Sequence, residues 1–304
     1  MKNFFVLSLF SVISIASFSQ KRWSIGGDIG INTSQVSFTN WAQGGQNTVS
    51  GLGLFKIKAN YTKDIWLWEN YLKTEYGLMQ QGTDVTKKTN DLIELKSKIN
   101  RNFNEYLSLT IQGSFKTQYS KGYDYDKSTS IYISDFLSPA YTILGTGLDY
   151  RPTNYLSVYL SPITYKQTYV GNDTLAYYGA FGVQKQDIKN GEIINFKNLR
   201  HEFGAYLDIL FKKEVFKNVN ISSEINLYSN YLKNPENIDV NWNFEILMKV
   251  NSFLNASIRT QLIYDDDIKI ADNKQTDGTY NFNSRIQFME AISVGLYYKF
   301  GVKE

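Results

Sequence analysis

The chain holds a single histidine, His201, in the run Asn198-Leu199-Arg200-His201-Glu202. A catalytic histidine needs a nucleophile within hydrogen-bond reach and a further group to orient its other ring nitrogen. Serines are plentiful, Ser157 and Ser161 among them, but no motif marks one as a nucleophile. A serine-type lipid hydrolase is thus the least supported chemistry, and no catalytic residue is expected. Two carboxylate clusters, Asp124 with Asp126 and Asp265-Asp266-Asp267, offer oxygen ligands to a hard cation. Neither has the glycine and glutamate spacing of an EF-hand, and they read as solvated loops. One histidine and no cysteine exclude histidine clusters and thiolate sites. The glycine-rich Asn40-Trp41-Ala42-Gln43-Gly44-Gly45 lacks a following Lys-Ser/Thr pair, so it gives no phosphate loop. The expectation is no cofactor and no metal.

What remains are charges at alternate positions, and strands must position them. In Phe288–Phe300 the even positions Phe288, Ile292, Val294, Leu296, Tyr298 and Phe300 are apolar apart from Glu290, and the odd ones are small, polar or amphipathic. A period of two means a strand with one greasy face. The same rhythm recurs upstream, cleanest in Val240, Trp242, Phe244, Ile246, Met248 and Val250 against Asn241, Asn243, Glu245 and Lys249. Segment by segment the alternation predicts about twelve strands, with ten or fourteen as alternatives. They fall near residues 23–33, 47–61, 66–79, 90–100, 106–118, 141–150, 155–165, 199–211, 219–231, 240–250, 255–264 and 288–300.

The connections alternate too. Every second one is short, near 62–65, 102–105, 152–154, 213–218 and 252–254, and the longest of the others cover 121–140, 167–198 and 266–285. Aromatic residues crowd the short turns: Tyr61 and Trp66, Phe103 and Tyr106, Tyr150 and Tyr155, Phe211 and Phe216, then Tyr298 and Phe300. Short turns at one end, long loops at the other and an aromatic girdle are the pattern of a transmembrane antiparallel up-and-down β-barrel. A soluble sandwich would bury one face as well but does not predict this asymmetry.

A basic start, an apolar run from Phe4 to Phe18 and small residues at Ser17 and Ser19 predict a secretory signal peptide over 1–19, with the barrel over 20–304. The apolar run is shorter than the ~20 residues of a spanning helix. The formal net charge of +3 gives no nucleic-acid footprint. The expected location is the Gram-negative outer membrane, reached through the general secretory pathway.

By alternation, Lys56, Lys58, Glu69, Lys73, Glu94, Lys96, Lys98, Glu245, Lys249 and Arg259 are candidates to line the interior, together with further acids that include Asp28, Glu75, Glu202, Asp208, Glu224 and Glu290. Both signs interleave, whereas a selective pore tends to carry a track of one sign. The expectation is a narrow or plugged interior rather than a wide one. Trp41, Gly44 and Gly45 in the first long loop, and Phe136, Leu137 and Pro139 in the third, are candidates to plug the mouth or dock a partner.

Five segments carry a resemblance. They are Asn40-Trp41-x-x-Gly44-Gly45, Trp68 with Tyr76-Gly77, Asn90-Asp91-Leu92, Asp135-Phe136-Leu137-Ser138-Pro139, and Leu160-Ser161-Pro162-Ile163-x-x-Lys166. Through them residues 23–183 resemble a family of Bacteroidota outer-membrane barrels known as a domain of unknown function. The resemblance implies a cell-envelope barrel and brings no catalytic residues. Two functional classes stay open: passage of a small solute through a narrow or loop-plugged barrel, and a non-conducting structural or assembly component. Expected partners are outer-membrane lipid, the barrel-assembly machinery through the C-terminal strand, and an envelope protein, but no nucleic acid.

Overall fold

The computed structural model describes residues 22–38, 46–125, 132–189, 192–271 and 282–301. The expected signal peptide and the candidates Trp41, Gly44, Gly45 and Asp126 lie outside them. Twelve long strands dominate: β1 (Trp23–Val36), β2 (Thr48–Lys63), β3 (Trp66–Gln81), β4 (Lys87–Asn102), β5 (Leu107–Thr117), β6 (Ala140–Thr153), β7 (Leu156–Tyr169), β8 (Leu199–Phe216), β9 (Val219–Asn230), β10 (Ile238–Lys249), β11 (Leu254–Tyr264) and β12 (Gln287–Gly301). Each pairs antiparallel with its neighbours in sequence, and β1 pairs with β12, so the sheet is a closed barrel. The expected count, order and class are those observed.

The outer face is the apolar one. Ile29, Ile31, Ile111, Ile163, Phe203, Ile292, Val294 and Leu296 are all at least 48% exposed, which in water would be an unexplained patch and in lipid is the required coat. On β12 the coat runs from Phe288 to Tyr298. Ten steps of ~3.4 Å at a tilt of ~40° give about 26 Å, the height of an outer-membrane apolar band. At the short-turn end Trp66, Phe103, Tyr106, Tyr150, Phe216, Phe253 and Tyr298 are exposed, and Trp23 stacks obliquely on Tyr61 at 5.2 Å, which forms the expected girdle. Glu290 shares this outward face with Phe288 and Ile292 and is exposed; the alternation of β12 points it away from the interior where it was expected.

Inward rings are seated on small residues. Tyr297 is paired with Gly30, and a Cβ added there would meet its ring at 2.8 Å, so glycine is what lets the ring lie against the wall. Proline breaks one strand's rhythm. Pro162 sits in a bulge of β7, and inward positions change from Tyr159 and Ser161 to Thr164, Lys166 and Thr168 across it.

At the long-loop end the connection after β7 folds on itself. Asn172 caps a one-turn helix, α1 (Asp173–Tyr177), accepting from the Thr174 and Leu175 amides. Val170, Leu175, Ala176 and Val183 then form a small apolar cluster joined by Tyr132 from the preceding long connection and by Phe181 and Phe196.

Candidate functional site: a charge-bridged lumen

Alternation sends the polar half of every strand inward, and the barrel then joins strands far apart in sequence. Near the short turns, the Arg151 guanidinium of β6 grips the Glu69 carboxylate of β3 through Nη1–Oε1 at 3.0 Å and Nη2–Oε2 at 2.5 Å. It also holds Asp149, which takes the Ser157 hydroxyl at 2.8 Å and lies 3.6 Å from Lys98 Nζ. One layer up, Lys96 Nζ of β4 donates to Asp208 of β8 at 2.5 Å and to Glu224 of β9 at 3.0 Å. Lys98 Nζ stands over the Tyr159 ring at 5.0 Å. On the opposite side, Arg259 of β11 donates to Glu75 of β3 at 2.9 Å, and Lys56 of β2 lies 4.0 Å from Glu245 of β10. Glu75 also takes Lys73 at 3.2 Å and the Asn90 amide at 2.7 Å.

These pairs fix the shape of the interior. Walls four strands apart in a round twelve-stranded barrel would stand roughly 20 Å apart. A lysine and an aspartate that touch place their backbones no more than ~12 Å apart. Lys96 and Asp208 are four strands apart and touch, so the barrel is flattened at their level. The charges are mostly out of water and satisfied in groups, as buried ions require.

The mouth at the long-loop end is tied as well. Lys166 Nζ donates to Asp239 at 2.6 Å, and Arg200 holds Glu202 at 2.8 Å and Asp267 at 2.9 Å. Asp267 takes Lys233 at 2.6 Å, so the connections after β9 and β11 meet over β8. Burial alone would raise the Asp267 carboxyl, but the Lys233 hydrogen bond and the Arg200 charge hold it below the usual carboxylate range. Asp265 and Asp266 group instead with Asp239, their oxygens within 4.8 Å of one another. Each is engaged: Asp239 by Lys166, Asp266 by Asn237 and Asp265 by the Asp267 amide.

Among the expected interior residues, Lys56, Glu69, Lys73, Lys96, Lys98, Glu245 and Arg259 join these layers. Lys58 and Glu94 are half-buried, Lys58 across from Tyr71 and Glu94 between Lys73 and Lys116. Lys249 is exposed at the short-turn rim. Asp149, Arg151, Lys166, Arg200 and Asp239 belong to the site but were not among the sequence candidates. Residues 135–139 form a tight turn latched to its surroundings: Asp135 and Ser138 exchange backbone hydrogen bonds, Leu137 O accepts from the Gly171 amide and Pro139 O from Thr117. Phe136 points away, 53% exposed. His201 lies on the outer face with Nδ1 2.6 Å from the Tyr165 hydroxyl, while Ser161 donates to backbone carbonyls. Among the described residues no serine–histidine pair forms.

Residues 33–123 match the profile of a family described as proteins of unknown function, DUF3078. No curated protein matches the chain. Among solved structures, the chain is similar to the translocator domain of the autotransporter NalP from Neisseria meningitidis, at 10% identity over 98% of this chain and 96% of that one, with a TM-score of 0.39. It is similar also to an outer membrane channel from Pseudomonas putida F1, at 10% identity over 92% and 96% of the two chains, with a TM-score of 0.40. The architecture itself rests on the strand pairing described above.

Proposed function

We propose that this protein is an outer-membrane barrel that passes small solutes through a narrow interior closed at rest by side-chain ion pairs. The observation that carries the reading is the bridge from Lys96 to Asp208 and Glu224, on strands four and five away around the barrel, inside an apolar coat. Charges of both signs alternate through the lumen, so size and hydration rather than ionic sign set what passes. The lumen residues Lys56, Lys73, Lys98, Glu245 and Arg259 would tune that passage. The long loops face the cell exterior and the chain ends face the periplasm, as in barrels of even strand number. Export through the secretory pathway, insertion by the assembly machinery through β12 and a place among the Bacteroidota barrels complete the reading. It predicts small single-channel steps in a planar bilayer, larger in Lys96→Ala; a folded barrel silent in both forms would refute it.

A second reading, a non-conducting scaffold or assembly component, draws on the long-loop end. There Tyr178, Ile188 and Ile193, in the same connection as the small apolar cluster, and Leu232, in the connection after β9, are each at least 67% exposed. A stable envelope partner recovered with the silent barrel would favour it.

A further inference from the structure

The closing seam is incomplete. Pairing of β1 with β12 runs only from Gly26↔Gly301 to Thr33↔Val294. On its other edge β1 stays paired with β2 up to Val36↔Thr48, and β12 stays paired with β11 up to Ile263↔Gln287. Continuing that register would set residues 34–38 opposite 289–293, and among the described residues no ladder pairing joins them. This stretch lies inside the apolar coat, which on β12 begins at Phe288. Within a membrane, open backbone is tolerated only where it borders protein or a water-filled cavity. Side chains on both sides agree: Val36 and Met289 sit at positions that alternate toward the lumen, yet they are 48% and 43% exposed. Just inside, Arg259 is paired with Ala291 and crosses the lumen to Glu75, which forms a floor at the lower part of the gap.

We propose that this gap is a lateral portal, through which a small apolar or amphipathic molecule moves between the upper lumen and the outer half of the bilayer. The proposal rests on the reading of the barrel as a conduit and adds its route and solute class. Solutes entering at the long-loop mouth meet the ion-pair floor and leave sideways, past Ile292 and Glu290 on the outer face.

The chain has no cysteine, so Gln35→Cys with Ile292→Cys gives a unique pair across the gap. The doubly substituted protein, in liposomes and in planar bilayers, is compared oxidised and reduced, with N-phenyl-1-naphthylamine as the apolar probe. The expected result is that oxidation abolishes probe transfer, reduction restores it, and ionic conductance is the same in both states. Probe transfer that is unchanged by the cross-link, or absent from the wild type while conductance persists, overturns the portal and leaves the conduit standing. Loss of both signals from the wild type refutes both readings. A disulfide between two chains in the Ile292→Cys single variant would show the open edge covered by a second copy, which also overturns the portal.

Discussion

Replacing Lys96 by Met keeps an unbranched side chain, one heavy atom shorter, and removes its charge from the lumen. Asp208 is 2% exposed and loses its 2.5 Å partner, keeping the Asn226 amide at 3.2 Å and Lys98 at 3.8 Å. Glu224, at 32% exposure, still reaches some water. Removing one member of a buried pair costs about 3–5 kcal/mol, and these residual partners place Lys96→Met at the lower end, ~3 kcal/mol. That is roughly a hundredfold in the folding equilibrium. Urea unfolding in phospholipid vesicles, followed by tryptophan fluorescence and by gel mobility of the unheated protein, measures it. Adding Asp208→Asn and Glu224→Gln to Lys96→Met removes the orphaned charges and should recover most of the loss. A loss below ~1 kcal/mol, the size expected of an exposed pair, with no recovery in the triple variant, would refute the buried-bridge account.

Asp267 has its carboxyl held low, so its tie to Lys233 and Arg200 is fully present above the ordinary carboxylate value and lost only as pH falls through its own lower value. Proteolysis of the connection after β9 should therefore stay slow from neutral pH to about pH 4 and quicken below it, whereas Asp267→Asn should be quick throughout. Val294→Arg puts a charge on the outer coat close to the middle of the span from Phe288 to Tyr298 and should cost about 2–4 kcal/mol in the same urea assay. Asn172→Ala removes the cap of α1 and should loosen that loop by about 1 kcal/mol, read as faster amide exchange at Thr174 and Leu175, with barrel stability unchanged. His201→Ala should leave folding and any lipid-ester hydrolysis by the preparation unaltered; hydrolysis abolished by it would bring back a rim enzyme.

The barrel was legible because a lipid-facing strand alternates strictly, as β10 does, and because short turns and long loops alternate with it. The lumen was legible by face but not by partner. Alternation says that Lys96 points inward; that it meets Asp208 depends on ring closure and flattening, which no local pattern encodes. Lys166 was hidden by the bulge at Pro162, where the inward parity changes. Asp149 and Arg151 were obscured by their surroundings, since the inward positions beside them on β6 are Gly145 and Gly147 and give little contrast. Glu290 misled in the opposite way: its chemistry suggested the interior, and strand geometry overruled it.

The layered ion pairs give the protein an unusual relation to heat. A water-soluble domain packs an oily middle, whose driving force per unit area levels off on warming. Here the oily part is the coat and the middle is ionic. Ions lose hydration free energy as temperature rises, so the cost of keeping Arg151 with Glu69, or Lys96 with Asp208, out of water shrinks on heating. The interior thus holds its share of the stability on warming better than an oily middle would.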